Sequence, residues 1–356
     1  MALCRLSCFV SHAVTPLSRT FKTNKIVCSL VQTKLANQER TFRKSYGRIL
    51  RVMKARRKVA GPERIRRRSE WYNWNYHAEI YAFNKRLHEN MSEDTLKQAF
   101  VHDSYLESEK QKRTELGLQD VSLDLKSNSG LVSLGHDTMR NFIFRYLRRC
   151  FEKVPEEGIE ALHEYLMSEE VLSHVSYNLG TSELIFCAEY PPEKKTLVST
   201  LKAIIGAIAT DDSVPRAENF VLDFVCPQLV GKDIFEIWDI EDPVMVLNSI
   251  LTRHGHKLCE PRLIFEAGRN TLEAIYHVGL YCDQVFLGRG TGETLTFAQE
   301  MAAYDVLRRL FDLEESRKPI PFGESARKLN FSNTKVHASL CEWFTEELKR
   351  DLLSVA

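Results

Sequence analysis

SNSGLVSLGHDTMRNFIFRYL, Ser127 to Leu147, decides the fold class. Leu131, Leu134, Thr138, Phe142 and Leu147 recur close to every 3.6 residues, the spacing of one helical face. The stretch therefore predicts a long helix with that face in a core. In its middle stand two polar residues, His136 and Asp137, and what they do is the question the rest of the chain must answer.

Outward from this helix the same texture continues. Leu96, Ala99 and Phe100 share a face of a helix expected near 93–106. Further helices are expected at Gly158–Met167, at Glu169–Asn178 behind a Ser168 cap, at Lys195–Thr210 and at Pro215–Leu229, with Gly180 as a C-terminal stop. Almost no alternating pattern interrupts residues 80–230, so this region reads as all-helical. The texture changes at Asp242-Pro243. Val244 to His254 reads as a helix ended by Gly255; Arg262–Ala267, Leu272–Leu280 and Gln284–Gly290 read as strands; FAQEMAAYDVLRRLF reads as a second helix. The fold class is mainly α, with an all-helical domain followed by a small α-β-β-β-α domain. The polar tail from Glu314 closes on SLCEWFTEELKRDLL, expected as an amphipathic helix with Leu340, Trp343, Phe344, Leu348 and Leu352 on one face.

The charge is unevenly spread. Residues 1–68 carry 18 Lys+Arg and 2 acidic residues, +16; the remainder carries 31 against 46, −15, for a net +1. A basic arm on an acidic body points to a polyanion, usually nucleic acid. The first 38 residues have no acidic side chain and mix Arg, Lys, Ser and Thr with apolar residues, the composition of a mitochondrial transit peptide, with a disordered basic tail on a cytosolic or nuclear protein as the alternative. No apolar run approaches the ~18 residues of a membrane span, and Ala203 to Ala209 is far too short. The nine cysteines form no C-x-x-C pair, so they read as small buried apolar residues rather than zinc ligands.

The arm itself, 39–79, has two parts. Residues 40–68 hold 13 Lys+Arg and one Glu63, with Gly61 and Pro62 breaking any continuous helix. RNA contact is assigned to Arg51, Lys54, Arg56, Arg57, Lys58, Arg64, Arg66, Arg67 and Arg68; a membrane surface would attract the same charge. Next comes WYNWNYHAEIYAF, whose rings either pack on the folded body, the favoured reading, or stack on unpaired bases.

Three stretches then resemble one family. AFVHDSY, Ala99 to Tyr105, NSGLVSLGHDTM, Asn128 to Met139, and TLKAIIGAIATD, Thr200 to Asp211, look like the successive signatures of ribonuclease III domains. The final unit resembles a double-stranded-RNA-binding domain. The resemblance divides the chain into a transit peptide 1–38, the arm 39–79, a ribonuclease III-like domain 80–232, an RNA-binding-like domain 241–312 and a tail 313–356. In this order the parts are similar to the ribonuclease III-like proteins of the mitochondrial large ribosomal subunit.

Ribonuclease III domains cleave phosphodiesters with Mg²⁺, which wants several oxygen ligands converging on one spot. The resemblance places one pair, spaced i, i+4, on Val132 and His136, and another, spaced i, i+3, on Ser199 and Lys202. None is a carboxylate. Asp137 stands one residue, about 100°, round the helix from the needed position. A lysine in the cluster repels a dication by roughly 4 kcal/mol per unit charge at ~4 Å and an effective dielectric near 20. His102 and His136 read as structural histidines, with metal ligation as the alternative. The RNA-binding-like unit also departs from its family, which places two lysines at the start of the last helix; here stand Leu295, Thr296, Phe297 and Ala298, with Arg269 and Arg289 as isolated cations nearby.

The expectation is a non-enzymatic constituent of the mitochondrial large ribosomal subunit, in the mitochondrial matrix, with no metal and no cofactor. Its expected partners are large-subunit rRNA, other mitochondrial ribosomal proteins and, as the resemblance implies, a second ribonuclease III-like domain. The alternatives are a mitochondrial double-stranded-RNA endoribonuclease and a soluble RNA-processing or assembly adaptor.

Overall fold

A computed structural model describes residues 46–61, 66–117, 125–269, 271–314, 319–331 and 335–344. The chain divides into two units, Met1–Ile65 and Arg66–Ala356. In the first, residues 46–60 form helix α1, which stops at Gly61 with φ +79°. The transit-like segment and Arg64 lie outside the described residues.

The second unit opens with α2 (Tyr76–Leu87), α3 (Glu93–Ala99) and α4 (Asp103–Glu115). The single helix expected near 93–106 is thus two. Residues 100–102 leave helical geometry to pair with the chain at Phe186: the Phe186 amide donates to the Phe100 carbonyl at 2.9 Å and the His102 amide to the Phe186 carbonyl at 3.1 Å. His102 then starts the new helix, its Nδ1 accepting from the Ser104 amide at 3.3 Å.

Next come α5 (Ser129–Cys150), α6 (Glu156–Met167), α7 (Glu169–Leu179), α8 (Lys194–Asp211), α9 (Val214–Phe224) and the short α10 (Ile234–Ile237). Ser168 caps α7, its Oγ accepting from the Val171 amide at 3.4 Å, and Gly180 ends that helix at φ +79°. The helix expected at Pro215–Leu229 breaks after Phe224 into a 3-10 turn at Cys226–Leu229, where Pro227 has no amide to continue the ladder. On α5 the expected face is buried at Leu131, Thr138, Phe142 and Leu147, joined by Met139, Ile143 and Tyr146, but Leu134 is exposed.

α5 crosses α8 with backbones touching. A Cβ on Gly206 would lie 2.1 Å from the Leu131 carbonyl oxygen, so no other residue fits at this crossing. The stretch that decides the fold and the Thr200–Asp211 stretch therefore meet back to back in the core.

The C-terminal half is α11 (Pro243–Arg253), β1 (Glu260–Ala267), β2 (Ile275–Cys282), β3 (Val285–Gly292) and α12 (Leu295–Leu310), followed by one turn, α13 (Gly323–Arg327). The strands form an antiparallel sheet in the order β1-β2-β3. α12 lies so close on β3 that a Cβ on Gly290 would stand 2.2 Å from the Ala302 amide nitrogen. This half is not set apart: buried residues from Ile80 to Trp343 form one continuous apolar cluster. Trp238 meets Phe311 at 5.9 Å, Tyr304 donates to the Ile240 carbonyl at 3.0 Å, and Arg308 pairs with Asp233.

The tail does not form the expected helix where it is described. Residues 335–344 hold no helix, only a turn at 340–342, and 345–356 lie outside the described residues. Among the described residues, no helix is long and apolar enough to cross a membrane.

Candidate functional site

The α5–α8 crossing brings together the positions that the resemblance marks. Val132 is half-buried against the core. Ser199 turns back on its own helix, donating to the Thr196 carbonyl at 2.9 Å. Lys202 is half-buried, and loss of water around its ammonium lowers its pKa. His136 also has a lowered pKa, chiefly from burial and then from the nearby Lys202 charge; Asp137 opposes this and Arg140 adds to it. His136 and Lys202 are therefore electrostatic neighbours across the crossing, while Asp137 is exposed.

Two further residues complete the cluster, and neither was visible from spacing. His163 on α6 stacks flat on Phe144, with ring centroids 3.8 Å apart. Its pKa falls to about 4, first from burial, then from the charges of Arg140 and His136. His136 Nδ1 and His163 Nε2 are both buried without a hydrogen-bond partner. The resulting set, His136, Arg140, His163 and Lys202, comprises two imidazoles whose pKa values are lowered, a guanidinium and an ammonium. Such a set repels a divalent cation. Hard cations need carboxylate or carbonyl oxygens, and these four side chains supply none.

The arm's cations differ in what the described structure gives them. Arg51, Lys54, Arg56, Arg57 and Lys58 lie exposed on α1, and Arg66 is exposed. Arg51, Lys54 and Lys58 fall on one helical face at i, i+3 and i+7. Arg67 and Arg68 are instead tied into the body. Arg67 donates to the Cys187 carbonyl at 2.8 Å and lies over the Tyr190 ring at 5.5 Å. Arg68 pairs with Glu79 at 3.3 Å and lies over Trp74 at 5.3 Å. These bonds to the body were not visible in the charge count, and the Arg68 side chain stays exposed beside its pair.

The aromatic stretch divides as well. Trp74 and Tyr76 are half-buried against the core and Phe83 is buried, 5.4 Å from Phe100. Burial raises the Tyr76 pKa well above its ordinary value. Trp71, Tyr72 and Tyr81 are exposed.

At the start of α12 the Thr294 hydroxyl accepts from the Phe297 amide at 3.2 Å, which aims Leu295 and Phe297 into solvent. Apolar side chains thus occupy the helix start at which duplex phosphates would be met. Arg269 is not isolated as expected, since it pairs with Glu266 at 3.6 Å. The basic pair at the other end of α12 is committed too: Arg309 bonds to Asp305 at 2.7 Å, and Arg308 to Asp233.

Comparison with known proteins places two family models on the chain. Residues 75–208 match the family model described as large ribosomal subunit protein mL44, endonuclease domain. Residues 238–344 match the MRPL44 dsRNA-binding domain model. Large ribosomal subunit protein mL44 of Caenorhabditis elegans is 32% identical over 274 residues, covering 76% of this chain and 68% of the relative. Ribonuclease 3 of Enterococcus faecalis is 25% identical over 222 residues, covering 60% of this chain and 90% of the relative. Among solved structures, the nuclease domain of ribonuclease III from Campylobacter jejuni is 20% identical with a TM-score of 0.33, covering 45% of this chain and 99% of that one.

Proposed function

Because the chain belongs to the family of the large ribosomal subunit protein mL44, we propose that it is a non-catalytic structural constituent of the mitochondrial large ribosomal subunit. The helical part acts as a scaffold, and the basic arm binds rRNA phosphates. The acidic body contacts basic ribosomal proteins, and a second ribonuclease III-like domain is a candidate neighbour. The transit-like composition of residues 1–38 supports delivery to the mitochondrial matrix.

The observation that carries the non-catalytic reading is that α5 and α8 cross with Gly135 against the Lys202 backbone, so that Lys202, whose charge lowers the His136 pKa, stands at a position the resemblance gives to a carboxylate. A two-metal phosphodiesterase holds its ions with converging carboxylates. Here the matching positions are Val132, His136, Ser199 and Lys202. The arm supplies affinity without chemistry, through phosphate neutralisation by Arg51, Lys54, Arg56, Arg57, Lys58 and Arg66, with Arg64 as a further candidate.

Two measurements test this. In a sucrose gradient of mitochondrial lysate the protein should sediment with large subunits; a peak confined to light fractions defeats the ribosomal reading in favour of a soluble adaptor. Incubated with duplex RNA and Mg²⁺, the purified chain should leave the RNA intact; cutting abolished by EDTA overturns the non-catalytic reading.

A further inference from the structure

Away from the α5–α8 crossing, three side chains of different chemistry converge at one end of the sheet. His256 lies three residues beyond the end of α11, held there by its amide donating to the Leu251 carbonyl at 3.0 Å. Cys282 is the last residue of β2, and Asp283 is the first of the two turn residues that lead into β3. A histidine nitrogen, the cysteine sulfur and a carboxylate oxygen all lie within 4.8 Å of one another. His256 Nδ1 is 3.1 Å from Asp283 Oδ2, and Cys282 Sγ is 3.8 Å from the same oxygen.

We propose that His256, Cys282 and Asp283 form a zinc site that pins the α11–β1 connection to the β2–β3 turn. The donor set selects the ion. Magnesium and calcium take oxygen ligands, whereas one imidazole, one thiolate and one carboxylate suit zinc. With Zn–S near 2.3 Å and Zn–N or Zn–O near 2.0 Å, tetrahedral geometry sets neighbouring donors about 3.3–3.5 Å apart. The Nδ1–Oδ2 and Sγ–Oδ2 separations, 3.1 and 3.8 Å, bracket that range, and the three donors, all within 4.8 Å of one another, would draw together by side-chain rotation on binding. Three protein ligands leave the fourth position to water.

The surrounding backbone gives the site a structural task. Asp283 and Gln284 both have positive φ, +49° and +70°, in a two-residue hairpin turn. Such turns favour Asn-Gly or Asp-Gly, and glutamine is a poor occupant of left-handed geometry. A His–Asp pair this exposed contributes little against that cost. An ion bound to the turn and to the chain after α11 would hold both.

The chemistry balances without any redox partner. The Cys282 thiol, which now donates to the Lys257 carbonyl at 3.2 Å, releases its proton to solvent and binds as thiolate. His256 binds as the neutral tautomer with its proton on Nε2. Affinity therefore falls as the solution is acidified. Spacing of the cysteines concealed this site, because it uses one cysteine and gathers its other ligands across a hairpin.

The test uses the full chain, stripped with a chelator and titrated with Zn²⁺ against a chromophoric competitor, and with Co²⁺. One equivalent of zinc should be retained, zinc should raise Tm, and cobalt should show a thiolate charge-transfer band with tetrahedral visible bands. His256→Gln and Asp283→Asn, both at surface side chains that leave the core intact, should each weaken zinc at least ten-fold. Cys282→Ser should remove the charge-transfer band. Cys341→Ser, which deletes an exposed thiol elsewhere, should keep the full equivalent. Absence of stoichiometric zinc overturns the proposal; so does zinc held equally by His256→Gln and Asp283→Asn, or lost in Cys341→Ser.

Discussion

Trp343 is bonded to Lys153, its indole Nε1 donating to the Lys153 carbonyl at 2.8 Å. The same ring meets Phe311 edge-on at 5.2 Å. One side chain therefore joins the loop after α5, the end of α12 and the tail. The tail repeats the device along its length. The Leu340 amide donates to Glu157 Oε2 at 2.8 Å, the His337 amide to Glu156 Oε2 at 3.0 Å, and Arg253 reaches the Leu340 carbonyl at 3.2 Å. Segment 335–344 is a strap that fastens the helical half to the sheet half.

Removing the strap's anchor should loosen both halves. Trp343→Ala is expected to cost about 3–5 kcal/mol, as for a buried tryptophan. Phe344→Ala should cost far less, because that ring is exposed apart from its stacking on His254 at 4.4 Å. Urea midpoints of the two variants check this; equal losses would refute the anchoring role of Trp343.

The α5–α8 crossing should not tolerate a single methyl group. A Cβ on Gly135 would lie 1.9 Å from the Lys202 carbonyl oxygen, whereas one on Gly130 meets nothing within 4 Å. Gly135→Ala is expected to destabilise by ~3 kcal/mol or more through overpacking. Gly130→Ala, in the same helix, should be neutral or stabilising by up to ~1 kcal/mol. Thermal unfolding of the pair separates steric exclusion from helix propensity.

Acid should destabilise the fold through His163. Its folded pKa of about 4 lies below the ordinary 6.5, so the unfolded chain binds the proton first. Stability is complete above pH 6.5 and is lost as pH falls toward 4. The ring is partly exposed, so after discounting for solvent screening the contribution is ~1–2 kcal/mol. His163→Phe keeps the stacking on Phe144 and should flatten this part of the pH profile. Denaturant midpoints at pH 7 and pH 5 measure it; an unchanged difference would show that another group titrates.

The arm's cations should separate by function. Replacing Arg51, Lys54, Arg56, Arg57 and Lys58 with alanine should leave Tm of the body unchanged and reduce the salt slope of RNA binding by up to ~4. Arg67→Ala should do the reverse, lowering Tm with little change in slope, because its guanidinium bonds to the Cys187 carbonyl. RNA titrations at several salt concentrations, paired with melting curves, distinguish the two.

Helix periodicity made the main architecture legible. The buried faces of α5 and α8, the Ser168 cap and the Gly180 stop are local signals, set by residues within one or two turns. The three strands and their flanking helices were equally local. Breaks imposed from a distance were not legible. Residues 100–102 leave the helix to pair with Phe186, and no spacing near 93–106 announces that partner. Leu134 carries the right period but lies exposed. The tail's apolar residues suggested a helix, yet Trp343 is held by the Lys153 carbonyl and Phe311.

By itself, then, the sequence determined which side chains stand at the two helical stretches and that none of Val132, His136, Ser199 and Lys202 is a carboxylate, since composition and spacing are properties of the chain. Only the tertiary structure decided that Arg140 and His163 join that cluster, that Arg67 and Arg68 bond to the body, and that His256 meets Cys282 and Asp283. Each of these depends on residues far apart in the chain being brought within a few ångströms, and packing, not local propensity, sets that distance.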